Sequence, residues 1–484
     1  MSIKKMSALI LSIVILSIIT LCAQSSNATN TITKDELMKT DRFLASKELN
    51  GRLPGSPGYE IAADFMAKQL ELLKFKPIND NGYFQKFKVE YNEILPGEHF
   101  SIIKDGKKTN YQLGKDYVYR GFTGSGNFSA PVVFCGYGLS QPELGYDDYA
   151  GIDVKGKVAM VYKYNPKWNI DGKTFTNGNP REKAIVAAKH GAIGILFISF
   201  PNDAEPQGLI GSVIHGDGEQ MVNFPEIHIG LNLAAELNEG SGYSLKDAQT
   251  KIDSIKKPFS FSLKHKVEVY VQTKYEKEKE VENVCGILEG SDPNLKNEYL
   301  MVGAHLDHVG SQSGEIYFPG ANDNASGSSA LLQIARAFSS LNEKPKRSIC
   351  FVFFASEEQG LNGSTYFANH LPFPKEKVVG MFNMDCVGYG DSIQIGGGES
   401  ARNLWKVAKE IDSQNLKLMV TKSWKGGGAD AEPFFQKGIP TLYFVTTNSY
   451  KHLHLTTDTP ETLNQNLFEA ITRLAFLTAF QISN

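Results

Sequence analysis

Four short runs in the second half of the chain are apolar at nearly every position: residues 299–304, 349–355, 378–384 and 441–445. An unbroken apolar run of that length predicts a strand buried on both faces. Helical spacing lies between and after them. Leu331, Ile334, Ala335 and Phe338 share one face of residues 329–338, and residues 463–480 read as a closing helix. Strands alternating with helices predict an α/β fold, with a mainly parallel mixed sheet and helices on both faces. Nearer the N-terminus, Ile61, Phe65, Met66, Leu70 and Leu73 recur at helical spacing over residues 59–74, behind the turn-forming stretch 51–58. Residues 84–120 alternate in short strand-like runs.

The pattern changes near residue 126. Residues 131–138, 156–164 and 192–200 read as strands and 181–190 as a helix, followed by a loop rich in Gly, Pro and acids over 201–218. Residues 251–275 alternate and would lead the chain back. The predicted organisation is one discontinuous domain, residues 24–125 and 276–484, with a smaller α/β module at 126–275 inserted in it.

Residues 1–23 stand apart from both. Lys4 and Lys5 precede an apolar run over residues 8–21 that ends at Ala23. This is a secretory leader pattern, with cleavage after Ala23 and release to the periplasm or the extracellular space. An uncleaved leader, or lipid attachment at Cys22, is the alternative and would be the sole tie to a membrane. Of the 5 cysteines, Cys135, Cys285, Cys350 and Cys386 fall in or beside apolar runs and are expected as buried free thiols. The formal net charge of -3 excludes the basic footprint of a nucleic-acid binder.

Chemistry concentrates at the strand ends. Residues 299–304 lead to His305, Asp307 and His308, and then to Asn322-Asp323-Asn324 ahead of a helix. Residues 349–355 lead to Glu357-Glu358, residues 378–384 to Asp385, and residues 441–445 to His452, His454 and Asp458. Taken singly, Asp323 or Asn324 would serve as a helix cap and the Glu pair as solvated charge. Together they converge on the carboxyl rim of a parallel sheet, where sites form. Two His, two Asp and one Glu make a nitrogen and oxygen set suited to zinc or another divalent metal. Five protein ligands suit two ions about 3.5–4 Å apart that share a carboxylate.

These segments resemble peptidase family M28, zinc-dependent exopeptidases that are mostly aminopeptidases. The matching pieces are residues 303–308, 320–327, 355–361, 383–388 and 454–459, with residues 51–58 resembling the family's N-terminal segment. The inserted module resembles a protease-associated (PA) domain. The resemblance implies two zinc ions per chain and a role for each residue. His305 and Asp385 would bind one ion, Glu358 and His454 the other, and Asp323 would bridge them. Glu357 would be the general base. Asp307 would orient His305 through a hydrogen bond, and Asp458 would act similarly near His454. The implied substrates are peptides or proteins with a free N-terminus. Glutaminyl cyclases, carboxypeptidases and metal-free receptor-like proteins on the same fold are the alternatives.

Two positions depart from the family pattern. Leu453 stands where many members have a Tyr that stabilises the oxyanion, leaving Tyr450 or His452 to substitute. Residues 429–434 keep Asp430 but not the usual following His. Asp430 and Glu432 are candidate holders of a substrate amine, beside the glycine run 426–428. Arg402 and Lys425, the nearest basic residues in sequence, form no recognisable clamp for a substrate carboxylate.

Overall fold

A computed structural model describes residues 25–79, 82–176, 178–216, 218–448 and 451–484. The leader pattern at 1–23, Cys22 and Tyr450 lie outside them. No helix among the described residues is long and apolar enough to cross a membrane.

The first sheet is mixed and 8-stranded. Its centre is built from β3 (Tyr299–His305), β4 (Ser348–Phe354), β5 (Val378–Met384) and β7 (Thr441–Thr446), after β1 (Phe84–Ile94) and β2 (Thr273–Leu288), with β6 (Ile393–Gly396) between β5 and β7 in the chain. The central order β4-β3-β5-β7 is parallel throughout. β2 flanks β4 and β6 flanks β7, both antiparallel.

Strand alternation explains why the four central runs look uniformly apolar. Leu300, Val302 and Ala304 of β3 and Ile349, Phe351 and Phe353 of β4 pack into one core. Met301, Cys350, Val352 and Phe354 pack into another on the opposite face. Helices α1 (Lys34–Leu44), α2 (Pro57–Leu72), α3 (Gly327–Ser339), α4 (Arg402–Asn415) and α5 (Gln465–Ser483) cover the first face. Short helices at Asn362–Asn369 and Glu432–Gln436 cover the second.

The second sheet is also 8-stranded and has cores of its own. It takes in His99–Lys104, Lys107–Asn110 and Tyr117–Tyr119 as well as strands between 126 and 271. It therefore draws on residues ahead of 126, because an alternating run specifies a strand but not the sheet it joins. β1 and β2 form a long antiparallel ribbon between the two parts.

Cys135, Cys285, Cys350 and Cys386 are buried and free. Cys285 and Cys350 lie on adjacent strands, with their Sγ atoms 3.4 Å apart.

Candidate metal centre

The carboxyl ends of β3, β4, β5 and β7 open on the same rim, since the strands are parallel and His305 is in register with Phe354. His305 is the last residue of β3. Glu357 and Glu358 follow β4 after Ser356, whose φ of 58° turns the chain. Asp385 follows β5. His454 lies on the loop between β7 and α5, again at positive φ, 55°.

Asp323 sits at the middle of the group. Its Oδ1 is 3.3 Å from His305 Nε2, and its Oδ2 is 3.1 Å from His454 Nε2. Asp385 Oδ1 lies 3.5 Å from His305 Nε2 and Glu358 Oε2 lies 2.9 Å from His454 Nε2. Two clusters of one His and one carboxylate thus share Asp323 through separate oxygens. Glu357 Oε2 is 4.0 Å from His305 Nε2, at the edge of the first cluster.

Supporting contacts explain how these side chains are held. The capping role falls to Asn324, whose Oδ1 accepts from Gly327 N at 2.8 Å, so Asp323 is left to the centre. Asn324 also donates to the Met384 carbonyl, tying this loop to the end of β5. The Asp323–Asn324 peptide bond is cis. Gly320, at φ 59°, is needed: a Cβ there would lie 2.5 Å from the His308 ring. Asp458 accepts from Asn322 N at 2.9 Å and Asp323 N at 3.1 Å, so it holds the backbone of Asp323 and not the ring of His454.

Asp307 also differs from expectation. Its backbone carbonyl, 3.2 Å away, accepts from His305 Nδ1, while its carboxylate lies at 3.7 Å. The carboxylate instead accepts from the amides of Glu357 and Glu358, at 3.1 and 3.4 Å, and so holds the loop that bears both.

Asp430 is fully buried, with the Ser364 side chain beside its carboxylate. Burial raises it to about 7 against the influence of His305 and Ser364. Glu432 is occupied: its Oε2 accepts from Gly427 N and Gly428 N, bracing the glycine run. His452 Nδ1 pairs with Thr457 Oγ1 at 2.9 Å.

Two supports were not visible in the sequence. The Tyr443 hydroxyl donates to Asp385 Oδ2 at 3.0 Å, leaving Oδ1 toward His305. Arg52, fully buried, donates to the carbonyls of Leu306, Leu44, Pro319 and Gly320 at 2.8, 2.5, 2.9 and 3.0 Å, so one guanidinium ties the end of α1 to both ends of the loop between His305 and Asp323. Arg52→Met is expected to destabilise the fold by about 1–3 kcal/mol for each carbonyl left buried without a donor, read from the unfolding midpoint in denaturant. An unchanged midpoint would show that the loops hold without it.

A connection between strands of the second sheet, carrying Leu209, Gly211 and Val213, reaches this centre. Gly211 N donates to the His454 carbonyl at 2.7 Å, and Leu209 and Val213 pack against Val309 and Phe318.

The donor set fits divalent cations. Asp385 Oδ1 is buried and has no hydrogen-bond partner among the described residues. Burial alone would raise Asp323, but His305 and His454 hold it well below the usual carboxylate range. Burial would likewise raise Glu358, yet His454 and the hydrogen bond from His308 bring it to about 2. Glu357 goes the other way: burial raises it well above a normal Glu, opposed by His305 and reinforced by Glu358, Asp430 and Asp385. So many buried carboxylates around His305, His308 and His454 make a donor set of the kind that suits divalent cations.

Comparison with known proteins gives the same picture. Residues 283–479 match the model of peptidase family M28, and residues 128–237 match that of the PA domain. An aminopeptidase of Pseudomonas aeruginosa is 26% identical over 392 residues, covering 78% of this chain and 61% of its own length. Aminopeptidase YwaD of Bacillus subtilis is 31% identical over 175 residues, 34% of this chain and 35% of its own. The chain thus spans only 61% of the Pseudomonas relative. Among solved structures, a peptidase M28 precursor from Shewanella amazonensis superposes with a TM-score of 0.68 at 19% identity, covering 96% of each chain. The zinc aminopeptidase BSAP from Bacillus subtilis gives 0.62 at 18% identity, covering 93% of this chain and 95% of its own. Both share the fold of this chain. Residues 283–479 thus resemble peptidase family M28, and residues 128–237 resemble the PA domain.

Proposed function

We propose that the chain is an exported zinc aminopeptidase that removes the N-terminal residue from peptide or protein substrates. The observation that carries this reading is the division of Asp323, with one oxygen toward His305 and the other toward His454. His305, Asp385 and Asp323 would hold one zinc, and Glu358, His454 and Asp323 a second. Bound zinc lowers the pKa of water to about 7 and polarises a scissile carbonyl.

The protein's own groups do the rest. Glu357, raised by burial, takes a proton from the attacking water and delivers it to the leaving amine. Asp307 holds the Glu357 amide, so the base keeps its place beside His305. Asp430, buried near His305, is the candidate to accept a hydrogen bond from the substrate ammonium. Names of relatives and structural neighbours support zinc and aminopeptidase chemistry. The leader pattern at 1–23 supports export.

Free-amine and N-acetylated aminoacyl chromogenic substrates test the reading. Cleavage is expected for the free amines alone, to be abolished by chelator and restored by zinc. Equal cleavage of both kinds would refute an aminopeptidase, and activity indifferent to chelator would refute the metal.

A further inference from the structure

His308 closes the motif that begins with His305, yet it is neither one of the five ligands nor the base. It is fully buried on the rim of the second cluster. Its Nδ1 lies 2.8 Å from Glu358 Oε1 and 3.9 Å from Asp323 Oδ2. The ring meets that of His454 edge-on, with centroids 5.4 Å apart. The two oxygens of Glu358 are therefore divided, Oε1 toward His308 and Oε2 toward His454 at 2.9 Å. An ionised carboxylate only accepts, so the Nδ1 of His308 is the donor. Its Nε2 is buried and has no hydrogen-bond partner among the described residues, so the ring engages the centre through Nδ1 alone.

The ring is fixed from behind. His308 N donates to the Arg52 carbonyl at 3.2 Å, and Gly320 lets the ring lie against the loop that carries Asp323.

We propose that His308 is a positioning residue of the metal centre, whose Nδ1–H holds Glu358 Oε1 so that Oε2 alone is presented to the ion shared with His454 and Asp323. The inference rests on the assignment of Glu358 as a ligand. Outer partners of this kind set ligand orientation, and their loss typically weakens metal affinity 10–100-fold.

The test uses the full chain and reads zinc stoichiometry and affinity by chelator competition, with thermal unfolding as a check on folding. His308→Ala is expected to weaken one of two bound ions by about 10–100-fold and leave the other unchanged. His308→Asn places an amide N–H where Nδ1 stood and is expected to restore most of that affinity. His308→Gln places its amide near the Nε2 position and is expected not to. If the alanine variant fails to fold, the contrast between Asn and Gln decides. Wild-type affinity in His308→Ala, or an Asn variant as weak as the Gln variant, overturns the proposal; the latter result would mean that Nδ1 binds the ion itself. Glu358→Ala tests the premise separately. If that variant keeps both ions at full affinity, the ligand assignment fails and the proposal with it.

Discussion

Glu357→Gln is expected to lower kcat by about 10²–10⁴-fold while leaving the bound metal in place. The substitution keeps the shape of the side chain and removes its capacity to take a proton. Neither cluster loses a donor, because Asp323, Asp385 and Glu358 are the carboxylates nearest the two histidine Nε2 atoms. The Glu357 amide would still donate to Asp307 Oδ1, so the loop should stay as it is. The measurement pairs steady-state kinetics with elemental analysis. A variant with near-normal turnover would mean that some other group moves the proton. A variant that loses metal would mean that Glu357 is a ligand.

Asp323→Ala is expected to release both ions, a larger effect than loss of either Asp385 or Glu358. Each of those faces one histidine, whereas Asp323 faces His305 through Oδ1 and His454 through Oδ2. Removing it leaves two half-sites with a single His–carboxylate pair apiece. Metal content after dialysis should fall to near zero in Asp323→Ala and by about half in Asp385→Ala, if the ions are two and the carboxylate is shared. Retention of one ion at wild-type affinity in Asp323→Ala would show that the centre is not bridged by this residue.

Much of the central sheet could be read from the residues because its strands are buried on both sides. Residues 299–304, 349–355, 378–384 and 441–445 stand out as apolar runs, and the structure places β3, β4, β5 and β7 there. Parallel pairing then dictates that whatever follows each run meets on one rim, which is why the sequence alone groups His305, Glu357, Glu358, Asp385 and His454. The supports were harder. Tyr443 lies within a strand whose pattern reads as core, and its hydroxyl reaches a carboxylate 58 residues away in sequence. Arg52 lies among glycines and prolines that signal a turn, but its guanidinium spans to carbonyls 254 to 268 residues on. Asp307 does meet His305, through its carbonyl, but the carboxylates of Asp307 and Asp458 hold backbone amides, which carry no signature in a sequence. The strands at 99–119 joined the second sheet because partner choice depends on distant residues such as Val267 and Val269, paired with Ile102 and Phe100.

The ribbon of β1 and β2 has a topological consequence. The chain leaves the first sheet at Ile94 and re-enters it at Thr273, and these two residues face each other as strand partners. The whole intervening sheet is thus a loop expanded on a hairpin whose ends already touch. A tight turn could close that hairpin without disturbing the order of the first sheet. What such a graft would lose is the donor that Gly211 supplies to the carbonyl of His454. A chain closed in this way would keep the first sheet and the residues of the candidate centre, and the His454 loop would have to find its footing from that domain alone.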